Sequence, residues 1–97
     1  MTYNILMREF EWDENKNIKN IEKHFIDFND AIFVFNDSKR IDYSVVKNGE
    51  KRIVLIGLMG HIVITIIYTI RGKIFRIISA RRSKRNERER YQTNIRE

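Results

Sequence analysis

Between Arg52 and Arg71 lie eighteen consecutive residues, Ile53 to Ile70, without a formal charge. Such a run, with cationic flanks, stands at the threshold length for a membrane-spanning helix. Its content argues for something else. Gly57-Leu-Met-Gly60 interrupts it, His61 occupies its centre and β-branched residues dominate, which is the pattern of two strands joined by a turn. The neighbours follow the same period. Ile41, Tyr43 and Val45 alternate with Asp42 and Ser44, Asn48-Gly49 is a hairpin signal, and Arg71-Gly72 supplies a further turn. Strands are therefore expected near 51–58, 61–70 and 73–79, after one beginning at Ile41. In the 61–70 strand both faces are largely apolar, with Ile62, Ile64, Ile66, Tyr68 and Ile70 on one and His61, Val63, Thr65, Ile67 and Thr69 on the other, so it is central. Simple alternation puts Arg76 on the same face as Ile74 and Ile78.

The flanking segments have helical spacing. Asp13 after Trp12 caps a helix from Glu14 to His24, with Ile18, Ile21 and Phe25 at i, i+3 and i+7. Asp27 starts a second helix whose stripe is Phe28, Ala31, Ile32 and Phe35, ended by Asp37-Ser38. Ser83 is the expected cap of a final helix, with Glu87 and Tyr91 one turn apart on one side. That helix is polar almost all round, so it docks through few contacts or is ordered by a partner. The order, an extended N-terminal segment, two helices, an antiparallel meander and a C-terminal helix, is an α+β domain.

Ninety-seven residues make one small domain, which buries only about 60–65% of its unfolded surface, so a stabilising partner is expected. The absence of cysteine excludes a disulfide framework and a thiolate nucleophile and suits the cytoplasm. Met-Thr-Tyr-Asn-Ile-Leu-Met lacks the basic and apolar regions of a signal peptide. From Arg71 onward ten basic residues face three acidic ones, +7, whereas the first seventy residues hold nine basic and ten acidic, −1. Charge so one-sided points to a polyanion, nucleic acid before anionic membrane, because each neutralised phosphate releases counterions. A basic helix that is merely solvated is the alternative.

Phe10-Glu-Trp-Asp-Glu-Asn-Lys16, Lys23-His24, Asp27-Phe28-Asn-Asp-Ala31 with Phe35 and Asp37, and Phe75-Arg-Ile-Ile-Ser-Ala-Arg81 followed by Glu87 and Tyr91 resemble, in order and spacing, the BrnT toxins of bacterial type II toxin-antitoxin systems. The resemblance runs from Phe10 to about Tyr91. It implies a RelE-like fold with two N-terminal helices, an antiparallel sheet of four or five strands and a C-terminal helix. It also implies ribonuclease activity that arrests translation, and a BrnA-like antitoxin of ribbon-helix-helix type that masks the toxin in a hetero-oligomer and carries it to operator DNA. Two departures stand out. The family usually has glycine after the Lys-His pair, where this chain has Phe25, so a different backbone path is expected there; and residues 1–9 form an extension in which Met7 is a second candidate initiator.

RNA cleavage without a metal needs a proton acceptor for the 2′-hydroxyl, cations for the phosphorane charge and a donor for the leaving 5′-oxygen. From the resemblance and from position, Arg71 and Arg81 are the candidate phosphate and transition-state ligands, since guanidinium donates bidentately and stays charged. Lys23, Arg76, Arg82, Arg85 and Arg88 are candidate RNA contacts. His24, at a helix C-terminus that favours imidazolium, is the candidate acid, with a packing role as the alternative. Glu87 and Tyr91 are a candidate base and acid, or a means of orienting an arginine and anchoring the last helix. His61 reads as a turn residue and Trp12 as core. Asp27 and Asp30 are spaced as a helix cap, and neither a metal nor a cofactor is expected. A noncatalytic nucleic-acid-binding module acting with the antitoxin is the alternative function.

Overall fold

The computed structural model describes residues 2–5 and 8–96; the question of initiation at Met7 lies outside the described residues. Four strands form the expected meander, named here in chain order: β3 (Ile41–Lys47), β4 (Glu50–Met59), β5 (Ile62–Arg71) and β6 (Ile74–Arg82). The β3–β4 turn is tight because Asn48 and Gly49 both take positive φ, 52° and 76°, the primed geometry that matches strand twist. Gly57 lies inside β4, within the strand expected near 51–58. A Cβ there would run into the Val34 side chain, so the glycine admits the segment packed over the strand, and the turn falls at Gly60 and His61, the latter a turn residue as expected.

The sheet departs from a purely antiparallel one. Two N-terminal strands, β1 (Thr2–Ile5) and β2 (Arg8–Glu11), form an antiparallel hairpin, and β2 pairs parallel with β6 through Glu9–Ile74, Phe10–Phe75 and Glu11–Arg76. The described strands thus make a mixed sheet of six in the order β1-β2-β6-β5-β4-β3. The parallel pairing is a long-range event, with the two N-terminal helices and the meander lying between its partners, so a local period cannot announce it.

Helix α1 runs from Glu14 to His24, capped by Asp13, whose carboxylate accepts from the backbone N–H groups of Asn15 and Lys16. Its buried side is not the expected isoleucine stripe. Ile18, Ile21 and Phe25 are exposed, whereas Asn17 and Asn20 are buried. The reason is where the helix sits: β2 covers only Ile74 to Arg76 of the β6 edge, and α1 covers the stretch beyond. Asn20 there acts as a substitute strand, its Nδ2 donating to the Ala80 carbonyl at 2.8 Å and its Oδ1 accepting from the Ala80 N–H at 3.1 Å. An open edge needs hydrogen-bond partners more than methyl groups.

The second helix is short. α2 (Phe28–Ala31), capped by Asp27, passes directly into a 3-10 segment, Ile32–Asn36. Phe28, Ala31, Ile32, Val34 and Phe35 are buried on one face of the sheet with Phe10, Trp12, Leu55, Ile64, Ile66, Tyr68 and Ile77. Phe10 meets Phe35 edge-on at 4.8 Å between ring centroids, and Phe35 meets Tyr68 at 5.0 Å. Trp12 packs edge-on against Phe28, in the core as expected.

On the opposite face lies α3 (Arg85–Ile95), which buries only Glu87 and Tyr91. Tyr91 packs with Val54 and Ile56, and its hydroxyl donates to Asp37 at 2.6 Å. Ser83 does not cap α3 as expected. The N-cap is Lys84, whose N–H donates to the Glu87 carboxylate at 2.7 Å, while Ser83 is buried with its hydroxyl 2.7 Å from that of Thr65.

Candidate active site

The position of Arg81 depends on a one-residue irregularity in β6. Along β5, Ile67 is opposite Ser79 but Tyr68 is opposite Ile77, so Ile78 is an extra residue with no partner. Arg81 stands five positions after Arg76, and simple alternation would send them to opposite faces. The bulge adds one step, and Arg81 lies opposite Thr65 on the α3 face, as Arg76 lies opposite Thr69 on the same face. Without the bulge, Arg81 would point into the aromatic core.

On that face Glu87 meets Arg81 in a fork, Nη1 to Oε1 at 2.8 Å and Nη2 to Oε2 at 3.0 Å. The carboxylate also accepts from the Thr65 hydroxyl at 3.1 Å and from the Lys84 N–H. Burial alone would raise the Glu87 pKa; the Arg81 hydrogen bonds, the Lys84 N–H, the arginine charge and the Thr65 hydroxyl together hold it at about 2. Glu87 is therefore a saturated clamp, charged at neutral pH, and it raises the Arg81 pKa in turn. Arg81 keeps 26% of its side chain exposed, enough to meet a ligand while its plane is held.

The exposed part of Arg81 looks into a cleft of about 420 Å³ lined by Lys23, His24, Phe25, Arg81, Arg82 and Lys84. α1 delivers Lys23 and His24 from its last turn. There the chain turns away through Phe25, which adopts φ 59° while its N–H donates to the Ile21 carbonyl at 2.8 Å. The residue takes the left-handed conformation suited to glycine, at a cost of about 1–2 kcal/mol for an aromatic side chain. Sequence reasoning singled out neither Phe25 nor Lys84 as a site residue; both become visible only when α1 and the end of β6 are brought together.

His24 is half-buried. Its pKa is lowered, first by burial and then by the charges of Lys23 and Arg81. The helix C-terminus was expected to favour imidazolium; desolvation and two neighbouring cations, Lys23 and Arg81, act against it and favour the neutral imidazole.

A cationic cleft holding one imidazole and a clamped guanidinium is suited to a phosphodiester. A family model described as ribonuclease toxin, BrnT, of type II toxin-antitoxin system matches residues 12–87, most of the chain. The chain belongs to the BrnT family. It is thus a ribonuclease toxin of a type II toxin-antitoxin system, whose substrate is RNA and whose partner is an antitoxin. No curated protein matches the chain.

Not every residue expected in the BrnT site reaches this cleft. Arg71 lies opposite Ile74 at the far end of β5, six residues from Thr65, which at strand rise is roughly 20 Å from the Arg81 position. Arg71 and Arg81 therefore do not converge on one phosphate. Arg76 pairs with Glu11 at 3.3 Å. Arg85 is engaged with Glu89 on the outer side of α3, and Arg88 donates to the Ser83 carbonyl at 2.6 Å. Tyr91 is buried, and its pKa is raised to about 12 by burial and by the Asp37 carboxylate that accepts its hydrogen bond. Of the expected residues, Lys23, His24, Arg81 and Arg82 share the cleft, and Glu87 stands directly behind it.

Proposed function

We propose that this chain is a metal-independent endoribonuclease that arrests translation in the bacterial cytoplasm and is neutralised by a BrnA-like ribbon-helix-helix antitoxin. The observation that carries the reading is the convergence of His24 and a clamped Arg81 on one cationic cleft, whose charges and burial favour the neutral imidazole. His24 takes the proton of the 2′-hydroxyl as that oxygen attacks the adjacent phosphorus. Arg81 donates its exposed N–H groups to the equatorial oxygens as charge builds, and Glu87 holds the guanidinium plane so that no reorganisation is needed at that moment. Lys23, Arg82 and Lys84 neutralise the scissile and flanking phosphates, and Lys23, beside His24, is placed to donate a proton to the departing 5′-oxygen. Glu87 and Tyr91 serve this chemistry by positioning. The antitoxin, on this reading, covers the cleft and α3.

The test is induction of the chain alone, with growth and bulk RNA integrity followed beside His24→Gln, Arg81→Ala and Arg71→Ala at matched protein level. Wild type and Arg71→Ala are expected to arrest growth with RNA decay. His24→Gln and Arg81→Ala should each lower cleavage by about 10²–10³-fold. Full toxicity of soluble Arg81→Ala would refute the assignment, and soluble wild type that does not arrest growth would move the function to a noncatalytic nucleic-acid-binding module.

A further inference from the structure

Phe25 is 88% exposed, the most solvent-facing large hydrophobic residue among those described. It is also held at φ 59°, a backbone conformation that costs nothing for glycine and is strained for a Cβ-bearing side chain. On both counts it weakens the folded state: the ring buries almost no surface, and the backbone beneath it would relax with glycine in its place. Its surroundings are specific. Every other residue lining its cleft, Lys23, His24, Arg81, Arg82 and Lys84, is basic. The Glu87 carboxylate behind them is already saturated by Arg81, Thr65 and Lys84.

Resting on the ribonuclease reading of this cleft, we propose that Phe25 is a stacking platform for a nucleobase of the RNA, beside the phosphate that Arg81 and His24 engage. A flat apolar ring at the lip of a cationic cleft matches the two halves of a nucleotide, an aromatic base and an anionic phosphate. The cations draw the backbone in without regard to sequence, and the ring fixes which nucleotide is splayed and how its 2′-hydroxyl is presented to His24. A protein contact fits less well, because the ring has no apolar neighbour within the cleft to extend a hydrophobic interface. Stacking tolerates any base, so the platform sets register on the strand, with modest preference for purines over pyrimidines.

The experiment uses the Phe25→Trp protein, whose new indole reports on stacking while Trp12 stays buried. It is titrated with a 2′-O-methyl hexanucleotide, which resists cleavage, and with a wholly abasic phosphodiester of equal charge. The base-bearing ligand is expected to quench the new indole and the abasic one to leave it unchanged. Phe25→Gly should bind the hexanucleotide about 5- to 100-fold more weakly than wild type, bind the abasic ligand equally, and melt several degrees higher. Equal affinity of wild type and Phe25→Gly for the hexanucleotide overturns the proposal, as does the same loss on both ligands. If Phe25→Gly keeps RNA affinity but loses antitoxin, the ring is a protein contact and the stacking role falls while the ribonuclease reading stands. If wild type binds neither ligand, both readings fall.

Discussion

Replacing Glu87 with glutamine separates the clamp from everything else the side chain does. The amide is nearly isosteric and keeps an oxygen for the Lys84 N–H, so the start of α3 survives, but the forked ion pair to Arg81 is lost. Glu87 is 10% exposed at the side chain, so solvent screening removes little of the effect. A carboxyl displaced from its ordinary 4.5 to about 2 on folding contributes about 3 kcal/mol at neutral pH. The neutral amide recovers part of this through the remaining hydrogen bonds, so we expect Glu87→Gln to cost about 2–3 kcal/mol at pH 7, or a melting temperature lower by roughly 10–20 °C for a domain of this size. The pH dependence follows from the direction of the shift. Because the folded-state pKa is depressed, the stabilisation is complete above pH 4.5 and is lost as pH falls towards 2. Urea unfolding followed by the fluorescence of the buried Trp12 at pH 7, 4.5 and 3 gives the comparison directly. The gap between wild type and variant should close as pH falls; a gap that stays constant from pH 7 to pH 3 would refute the clamp.

Two further outcomes are expected. Tyr91→Phe removes the donor to Asp37, which retains the N–H groups of Leu58 and Lys39, so it should cost about 1–2 kcal/mol in denaturant while changing RNA cleavage by less than about twofold; a folded variant without cleavage would show that the phenol acts in the reaction. Asn20→Ala leaves the Ala80 N–H and carbonyl and the Ile26 carbonyl without their amide partner. It should cost about 2–4 kcal/mol, several times the cost of Ile21→Ala on the exposed face, and equal melting temperatures for the two variants would overturn the view of α1 as an edge cover.

Much of the framework was legible because it is local. Asp13 marked the start of α1 through its free carboxylate, Asp27 did the same for α2, and Asn48-Gly49 set the β3–β4 turn through residues that tolerate positive φ. The charge-free run divided into β4 and β5, and no described helix is long and apolar enough to cross a membrane. The site was legible in part. His24, Lys23, Arg81 and Arg82 were named and do share a cleft, but Arg71 was grouped with Arg81 from the resemblance and from position, and the hairpin carries the two far apart along the sheet.

What the amino-acid order determined alone is therefore whatever depends on a residue and its near neighbours: caps, turns, strand period, and the +7 charge at the C-terminal end. What the tertiary structure decided depends on which backbone groups remained unpaired after the sheet formed. The parallel β2–β6 contact left the far end of the β6 edge open, and that open edge drew in Asn20 of α1, with the isoleucines of the helix turned to solvent. The bulge at Ile78 then rotated Arg81 from the core to the α3 face. Periodicity assumes an uninterrupted ladder and a helix packed through its apolar stripe; here one extra residue and one unpaired edge broke both assumptions, and the cationic cleft was built where they did.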